Sequence, residues 1–259
     1  MSHSYKQTMA RTSRQIIAMG GGGFSMEPDN LALDLYVLAQ TRKRNPSICF
    51  LATATGDADG YIERFYDAFK AHRCRPTHAP LFRRTPDLKQ LLLTQDVIYV
   101  GGGNTKSMLA VWRDWDIPRL LRRAWSTGTV LAGISAGAIC WFKTGVTDSW
   151  GNGLAGLPCL GLLPGTCCPH FDGEPERRPA LHRLVAAGSV PKALALDDGA
   201  AAHFVGRELC RIVSSRFPAR GYEVRRRGSR SVETALPVVA LSASGRPTAH
   251  RKGRSDDAP

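Results

Sequence analysis

The sequence predicts an α/β domain in three layers, a mostly parallel sheet between helices, with an antiparallel hairpin extension toward the C-terminus. Three observations carry that expectation. Short apolar runs rich in β-branched residues alternate with amphipathic helical runs over most of the chain. Several of those apolar runs lead straight into glycine and other small residues, as the strands of an open sheet do where they meet ligand loops. Two late strand-like runs flank Gly206-Arg207, a short hairpin connection. The 259 residues are 43% hydrophobic and 22% charged, enough to close one full core, and no internal repeat is visible.

The elements follow in order. Gln15–Gly20 reads as a first strand opening into the glycines of Gly20–Gly23, and Asp29 or Asn30 is placed to cap a helix running to about Arg42. Ser47–Ala54 is the next strand, and Gly60–His72 a helix with Ile62, Phe65 and Phe69 on one stripe. A short strand at Thr77–Phe82 and a short helix at Asp87–Leu93 precede the buried strand Asp96–Val100, which runs into Gly101-Gly102-Gly103-Asn104. Helical stretches at Lys106–Trp112 and Pro118–Ser126 lead to strand Thr129–Ile134 and a helix over Ala136–Phe142. Residues 143–165 are rich in Gly and Pro and read as loops with room for a short hairpin. Cys167–Phe171 is strand-like, Glu174–Ala187 helical and Lys192–Leu196 a strand. Ala201–Ser215 makes the hairpin, which Tyr222–Arg227 and Val232–Leu241 are expected to extend. The domain is expected to span 15–241, between a flexible basic N-terminus (1–14) and a polar, basic tail (242–259) expected to be disordered.

Charge narrows the function classes. Lys and Arg number 35 against 22 Asp and Glu, a formal +13. Residues 216–259 hold ten bases and four acids, and the first fourteen hold three bases and no acid, so most of the excess sits at the two ends. Basic ends of this kind are commonly solvated segments, and no specific nucleic-acid partner is expected. No apolar run approaches the roughly 20 residues of a membrane span, and the first 15 residues lack the apolar segment of a secretory signal, so a cytoplasmic protein without a membrane partner is expected. Seven cysteines, an odd number lying mostly in apolar runs, read as reduced core thiols. Cys167, Cys168 and His170 lack the paired ligands of a zinc site, and neither a metal nor an organic cofactor is expected.

Three glycine-bearing loops were candidates for phosphate or for chemistry. Gly20–Gly23 does not complete a dinucleotide fingerprint, because Met26 stands at the third glycine. Gly101–Ser107 ends like a P-loop but has Val100 and Thr105 where glycines are required. Gly133-Ile134-Ser135-Ala136-Gly137 matches GxSxG where a buried strand should turn into a helix, a setting that exposes the Ser135 hydroxyl and offers the Ala136 amide to a developing negative charge. The plainer reading is a small-residue turn with Ser135 as a helix cap. A serine nucleophile needs a base, and His170, following Pro169 at a strand end, is the best placed, with His203 weaker. An acid must orient the imidazole; Asp198 leads, with Asp197 and Asp148 as alternatives.

Taken together, Val97–Thr105, Gly133–Ala138, Pro169-His170-Phe171 and Leu196–Ala200 resemble, in order, the motifs of the peptidase E family of serine peptidases, which includes aspartyl dipeptidase and cyanophycinase. The resemblance spans about residues 15–215. It implies a fold similar to class I glutamine amidotransferases, flavodoxin-like, with serine in place of their nucleophilic cysteine. It implies Ser135 as nucleophile, His170 as base, an oxyanion hole from the Gly102 and Gly103 backbone with the Ala136 amide, and Asn104 lining the pocket. Family members commonly carry glutamate where Asp198 stands, so the shorter Asp198 must come closer or cede its role, and Asp148 is the second choice of acid. An arginine early in the helix after the histidine usually pairs with the substrate's aspartate; here Arg177 and Arg178 are the candidates. The implied activity is hydrolysis of short peptides, including N-terminal-Asp dipeptides, by a monomer or homodimer. The alternatives are a cyanophycinase-like hydrolase of a branched aspartyl polymer and a catalytically silent binding module.

Overall fold

The computed structural model describes residues 14–151 and 153–248; the expected N-terminal segment apart from Arg14, and the expected tail beyond Thr248, lie outside them. The first half runs β1 (Gln15–Met19), α1 (Gly23–Met26), α2 (Ala32–Ala39), β2 (Ser47–Leu51), α3 (Asp59–Lys70), β3 (Arg75–His78), α4 (Leu88–Leu93) and β4 (Val97–Val100). It continues through α5 (Thr105–Asp114), α6 (Ile117–Ser126), β5 (Val130–Ile134), α7 (Ala136–Ile139), β6 (Phe142–Thr147), β7 (Ala155–Pro158) and β8 (Leu163–Cys168). The last part holds α8 (Arg177–Ala186), β9 (Ala193–Leu196), β10 (Ala200–Val205), β11 (Glu208–Ser214), β12 (Gly221–Arg227), β13 (Arg230–Ala235) and β14 (Val238–Ala240).

An eight-stranded sheet in the order β14-β11-β10-β1-β5-β4-β2-β3 forms the middle layer. Its β1, β5, β4, β2 and β3 are mutually parallel. Alternation along each strand assigns its two faces. Ile16, Ala18, Ile98, Val100 and Leu131 point to one core with Trp112, Leu121 and Trp125 of α5 and α6, whereas Ile17, Met19, Val97, Tyr99 and Ala132 point to the other with Tyr36, Phe65 and Phe69 of α2 and α3. Both faces are thus covered, as a parallel sheet requires.

Several expectations need correction. The stretch from 143 to 165 is not mainly loop: β6, β7 and β8 belong to a second, six-stranded sheet, β13-β12-β9-β8-β6-β7. Glycine disguised it, because Gly145 lies inside β6 where a side chain would overlap Ile139. The helix expected through Phe142 ends at Ile139, and Phe142 opens β6. The hairpin of β10 and β11 forms around Gly206-Arg207 as expected. Its expected extension does not, since β12 pairs with β9 and β13, while β14 returns to lie parallel to β11. Pro237 divides that run, as a residue without an N–H must. The strand expected over Thr77–Phe82 ends at His78, before Pro80. Neither Asp29 nor Asn30 caps α2, which begins at Ala32. On α3 the buried stripe is Tyr61, Phe65 and Phe69, with Ile62 only partly covered. The chain is ordered past Ser242: Gly245 packs against the α2 backbone and the Thr248 N–H donates to Ala240 O at 2.8 Å.

Candidate active site

The carboxyl ends of β1 and β5 set the geometry. Consecutive carbonyls at the end of β1 hold two loops: Met19 O accepts from the Ser135 N–H at 3.1 Å, and Gly20 O accepts from the His170 N–H at 3.2 Å. Residues 35 positions apart are thereby tied to one strand end. Ser135 has φ 55° and ψ −114°, and His170 has φ 52°. Such conformations cost side-chain-bearing residues on the order of 1–3 kcal/mol each, and surrounding structure must enforce them. Around Ser135 it does so through two glycines: a side chain at Gly133 would overlap Gly137 O, and one at Gly137 would overlap Val100 O. The serine is therefore held on a tight strand-to-helix turn, as GxSxG predicts.

His170 is buried, and its Nδ1 lies 2.6 Å from Asp198 Oδ1. With the carboxylate ionised, Nδ1 carries the proton and donates, which leaves Nε2 as the basic nitrogen. Asp198 reaches this close because it lies in a slot between Gly21 and Gly173, where a side chain at either glycine would overlap its carboxylate. Its own N–H donates to Asp172 Oδ1 at 2.8 Å, and Asp172 Oδ2 pairs with Arg216 at 2.6 Å. Ser135 and His170 line one cleft of ≈ 440 Å³ together with Ser25, Tyr61, Arg64 and Gly103. That volume falls within the range of about 300–1,000 Å³ usual for small-ligand sites. Among the described residues no direct hydrogen bond joins the Ser135 hydroxyl to the imidazole, a contact that commonly tightens only when substrate aligns the pair.

The glycine loop after β4 borders the serine, with a side chain at Gly102 falling 3.1 Å from Ser135 Cβ. The Gly102 N–H is already engaged, donating to Tyr61 Oη at 3.1 Å, and Tyr61 Oη also bonds Ser25 Oγ at 2.9 Å. Gly103, with φ 129°, packs on Ala54, where a side chain would overlap Ala54 O. The Gly103 and Ala136 amides have no protein acceptor among the described residues.

Other expected site residues lie elsewhere. Asp148 is largely exposed and pairs with Arg177 at 3.6 Å, whereas the imidazole is bonded by Asp198. Asp197 turns the other way, accepting from the Arg220 N–H at 3.0 Å, and burial raises its pKa. Arg177 is buried, donating to Glu174 at 2.7 Å and to Val146 O at 3.1 Å, and is not part of the cleft wall. Arg178 stacks over Phe171 at 4.3 Å and pairs with Glu233 at 2.6 Å. Asn104 caps α5, its Oδ1 accepting from the Ser107 N–H at 2.9 Å. His203 is held by Tyr36 Oη at 2.7 Å and Gln15 Oε1 at 3.0 Å, a packed core histidine. Sequence reasoning missed Ser25, Tyr61 and Arg64. The 61, 65, 69 spacing of aromatics on α3 was the available signal for Tyr61, and nothing local marks the other two.

Among the described residues, no group of three or more His, Cys, Asp or Glu is arranged to hold a metal ion, and no helix is long and apolar enough to cross a membrane. Comparison with known proteins agrees with this architecture. Residues 16–212 match the model of peptidase family S51. The uncharacterized peptidase YgaJ of Bacillus subtilis (strain 168) is 53% identical over 229 residues, covering 88% of this chain and 99% of that protein. Among solved structures, a peptidase from an acI-B1 actinobacterium superposes with a TM-score of 0.60 at 15% identity, over 86% of this chain and 98% of the other. A candidate peptidase E protein from Listeria monocytogenes EGD-e does so at 0.54 and 17% identity, over 87% and 100%. Those two likenesses establish the flavodoxin-like α/β fold, and the sequence match establishes the family: the chain belongs to peptidase family S51 and is a peptidase.

Proposed function

We propose that the protein is a serine peptidase acting on short peptides, including dipeptides with N-terminal Asp, through an acyl-enzyme on Ser135. The observation that carries the reading is the 2.6 Å bond between His170 Nδ1 and Asp198, at a rim shared with a serine held in an elbow conformation. In this scheme Ser135 Oγ attacks the peptide carbonyl carbon while His170 Nε2 takes its proton. Asp198 stabilises the imidazolium that results. The carbonyl oxygen, now negative, accepts hydrogen bonds from the Gly103 and Ala136 amides, and the Gly102 N–H serves to fix the loop through Tyr61. The intermediate collapses as His170 returns the proton to the leaving amine, and water, deprotonated by the same nitrogen, releases the acid. The cleft of ≈ 440 Å³ supports a short substrate.

The test is hydrolysis of a dipeptide library by the wild type and by Ser135→Ala. The expected outcome is loss of turnover by about 10⁴-fold or more with unchanged folding. Undiminished hydrolysis by Ser135→Ala would overturn the assignment.

A further inference from the structure

The cleft has one permanently charged side chain in its wall. Arg64, on α3, lines it beside Tyr61 and the Ser135–His170 rim, and no Asp or Glu contributes to the same wall. Its guanidinium lies 5.3 Å from the Tyr61 ring centroid, over the ring whose hydroxyl holds the Gly102 amide. Stacking on a ring face restrains a guanidinium without consuming its N–H donors. Nor do neighbouring acids neutralise it. Asp59 pairs with Arg83 at 2.5 Å, Asp67 with Lys70 at 2.5 Å, and Glu27 with Arg216 at 3.7 Å. Asp57 accepts from the Leu81 and Phe82 amides. Among the described residues Arg64 makes no ion pair. A restrained, solvent-reachable fork of donors facing a cleft without counter-charge matches a carboxylate, which it can grip with two parallel hydrogen bonds.

We propose that Arg64 is a specificity-determining residue that binds a carboxylate of the peptide substrate, so that the enzyme selects peptides carrying one within reach of the scissile bond. This rests on the serine-peptidase reading above. A short peptide has two sources of that group, an acidic side chain and the C-terminus, and four dipeptides separate them: Asp-Ala, Asn-Ala and their C-terminal amides. Binding is measured by calorimetry to Ser135→Ala protein with Arg64 intact or changed to Gln or Lys, and cleavage is measured with Ser135 present. Arg64→Gln is expected to weaken binding and raise KM by roughly 10- to 100-fold for dipeptides that carry the recognised carboxylate, and to leave Asn-Ala amide unaffected. Arg64→Lys is expected to recover part of the loss. The carboxylate whose conversion to an amide abolishes the Arg64 effect is the one bound. An equal effect of Arg64→Gln on all four dipeptides, or none on any, would overturn the proposal. Hydrolysis surviving in Ser135→Ala would instead defeat the triad and leave the binding comparison readable.

Discussion

Asp198→Asn isolates what the carboxylate does for the imidazole. The substitution keeps shape and volume, so the slot between Gly21 and Gly173 still accepts it. It removes the charge that accepts the 2.6 Å bond from His170 Nδ1. Two losses follow. In the proposed mechanism the imidazolium of the transition state loses a charge-assisted hydrogen bond, about 1.5–3 kcal/mol, or roughly 10- to 100-fold in rate. The asparagine amide can also donate to Nδ1, which moves the ring proton to Nε2 and removes the base from Ser135; together the two effects are expected to lower kcat by about 10⁴-fold. The control is Asp148→Asn, which removes only the 3.6 Å pairing of an exposed carboxylate with Arg177, still held by Glu174 and Val146 O, and is expected to stay within about threefold of wild type. Both variants are assayed for kcat and KM on one cleaved dipeptide, with thermal melts to confirm folding. An Asp198→Asn enzyme within tenfold of wild type, or a collapse of activity in Asp148→Asn, would show that Asp198 is not the orienting acid.

Gly21→Ala should impair the same bond from the other side, because its methyl overlaps Asp198 Oδ1 and lies 3.0 Å from His170 Nδ1; kcat is expected to fall at least tenfold with the melting temperature less affected. Burial lowers the pKa of His203 from 6.5 to about 4. The folded state therefore binds this proton less readily than the unfolded chain, and the contribution of neutral His203 is complete above about pH 6.5 and lost as pH falls toward 4, on the order of 1.4 kcal/mol per pH unit. Asp34, pushed up to about 7 by burial, has the opposite slope in this window, so the measurement is urea unfolding of wild type against His203→Gln, whose stability difference should move in the variant's favour as pH falls from 6.5 to 4. Trp112 is fully buried and its Nε1 donates to Thr53 Oγ1 at 3.0 Å, so Trp112→Ala should cost about 3–5 kcal/mol by denaturant titration.

Strands with a strong local signal were legible in the sequence. Val97–Val100 and Val130–Ile134 are buried at every position because helices cover both faces, and each leads into the small residues that form the rim. The placement of Ser135 and His170 at this rim was legible for the same reason, since ligand-facing positions of an open α/β sheet lie just beyond the carboxyl ends of its strands. The second sheet was not. Its strands carry Gly145, Gly156 and Gly165, which serve close packing or positive φ, and in sequence such residues read as turns. The choice among Asp148, Asp197 and Asp198 was equally hidden, because it depends on which way a carboxylate turns after β9 and on glycines at 21 and 173 that lie far away in the chain. Tyr61 and Arg64 reach the cleft only because β2 and β4 are adjacent and bring the start of α3 over the Gly102 loop. Long-range pairing of that kind leaves no local trace.

Labelling with a serine-directed fluorophosphonate, followed by peptide mass mapping, asks whether Ser135 is an activated nucleophile. One stoichiometric adduct on the peptide containing Ser135 is expected in the wild type, with labelling lost in Ser135→Ala and slowed at least a hundredfold in His170→Ala. A hydrolytically active preparation that takes up no label at Ser135, or labels at the same rate without His170, would contradict the proposed chemistry.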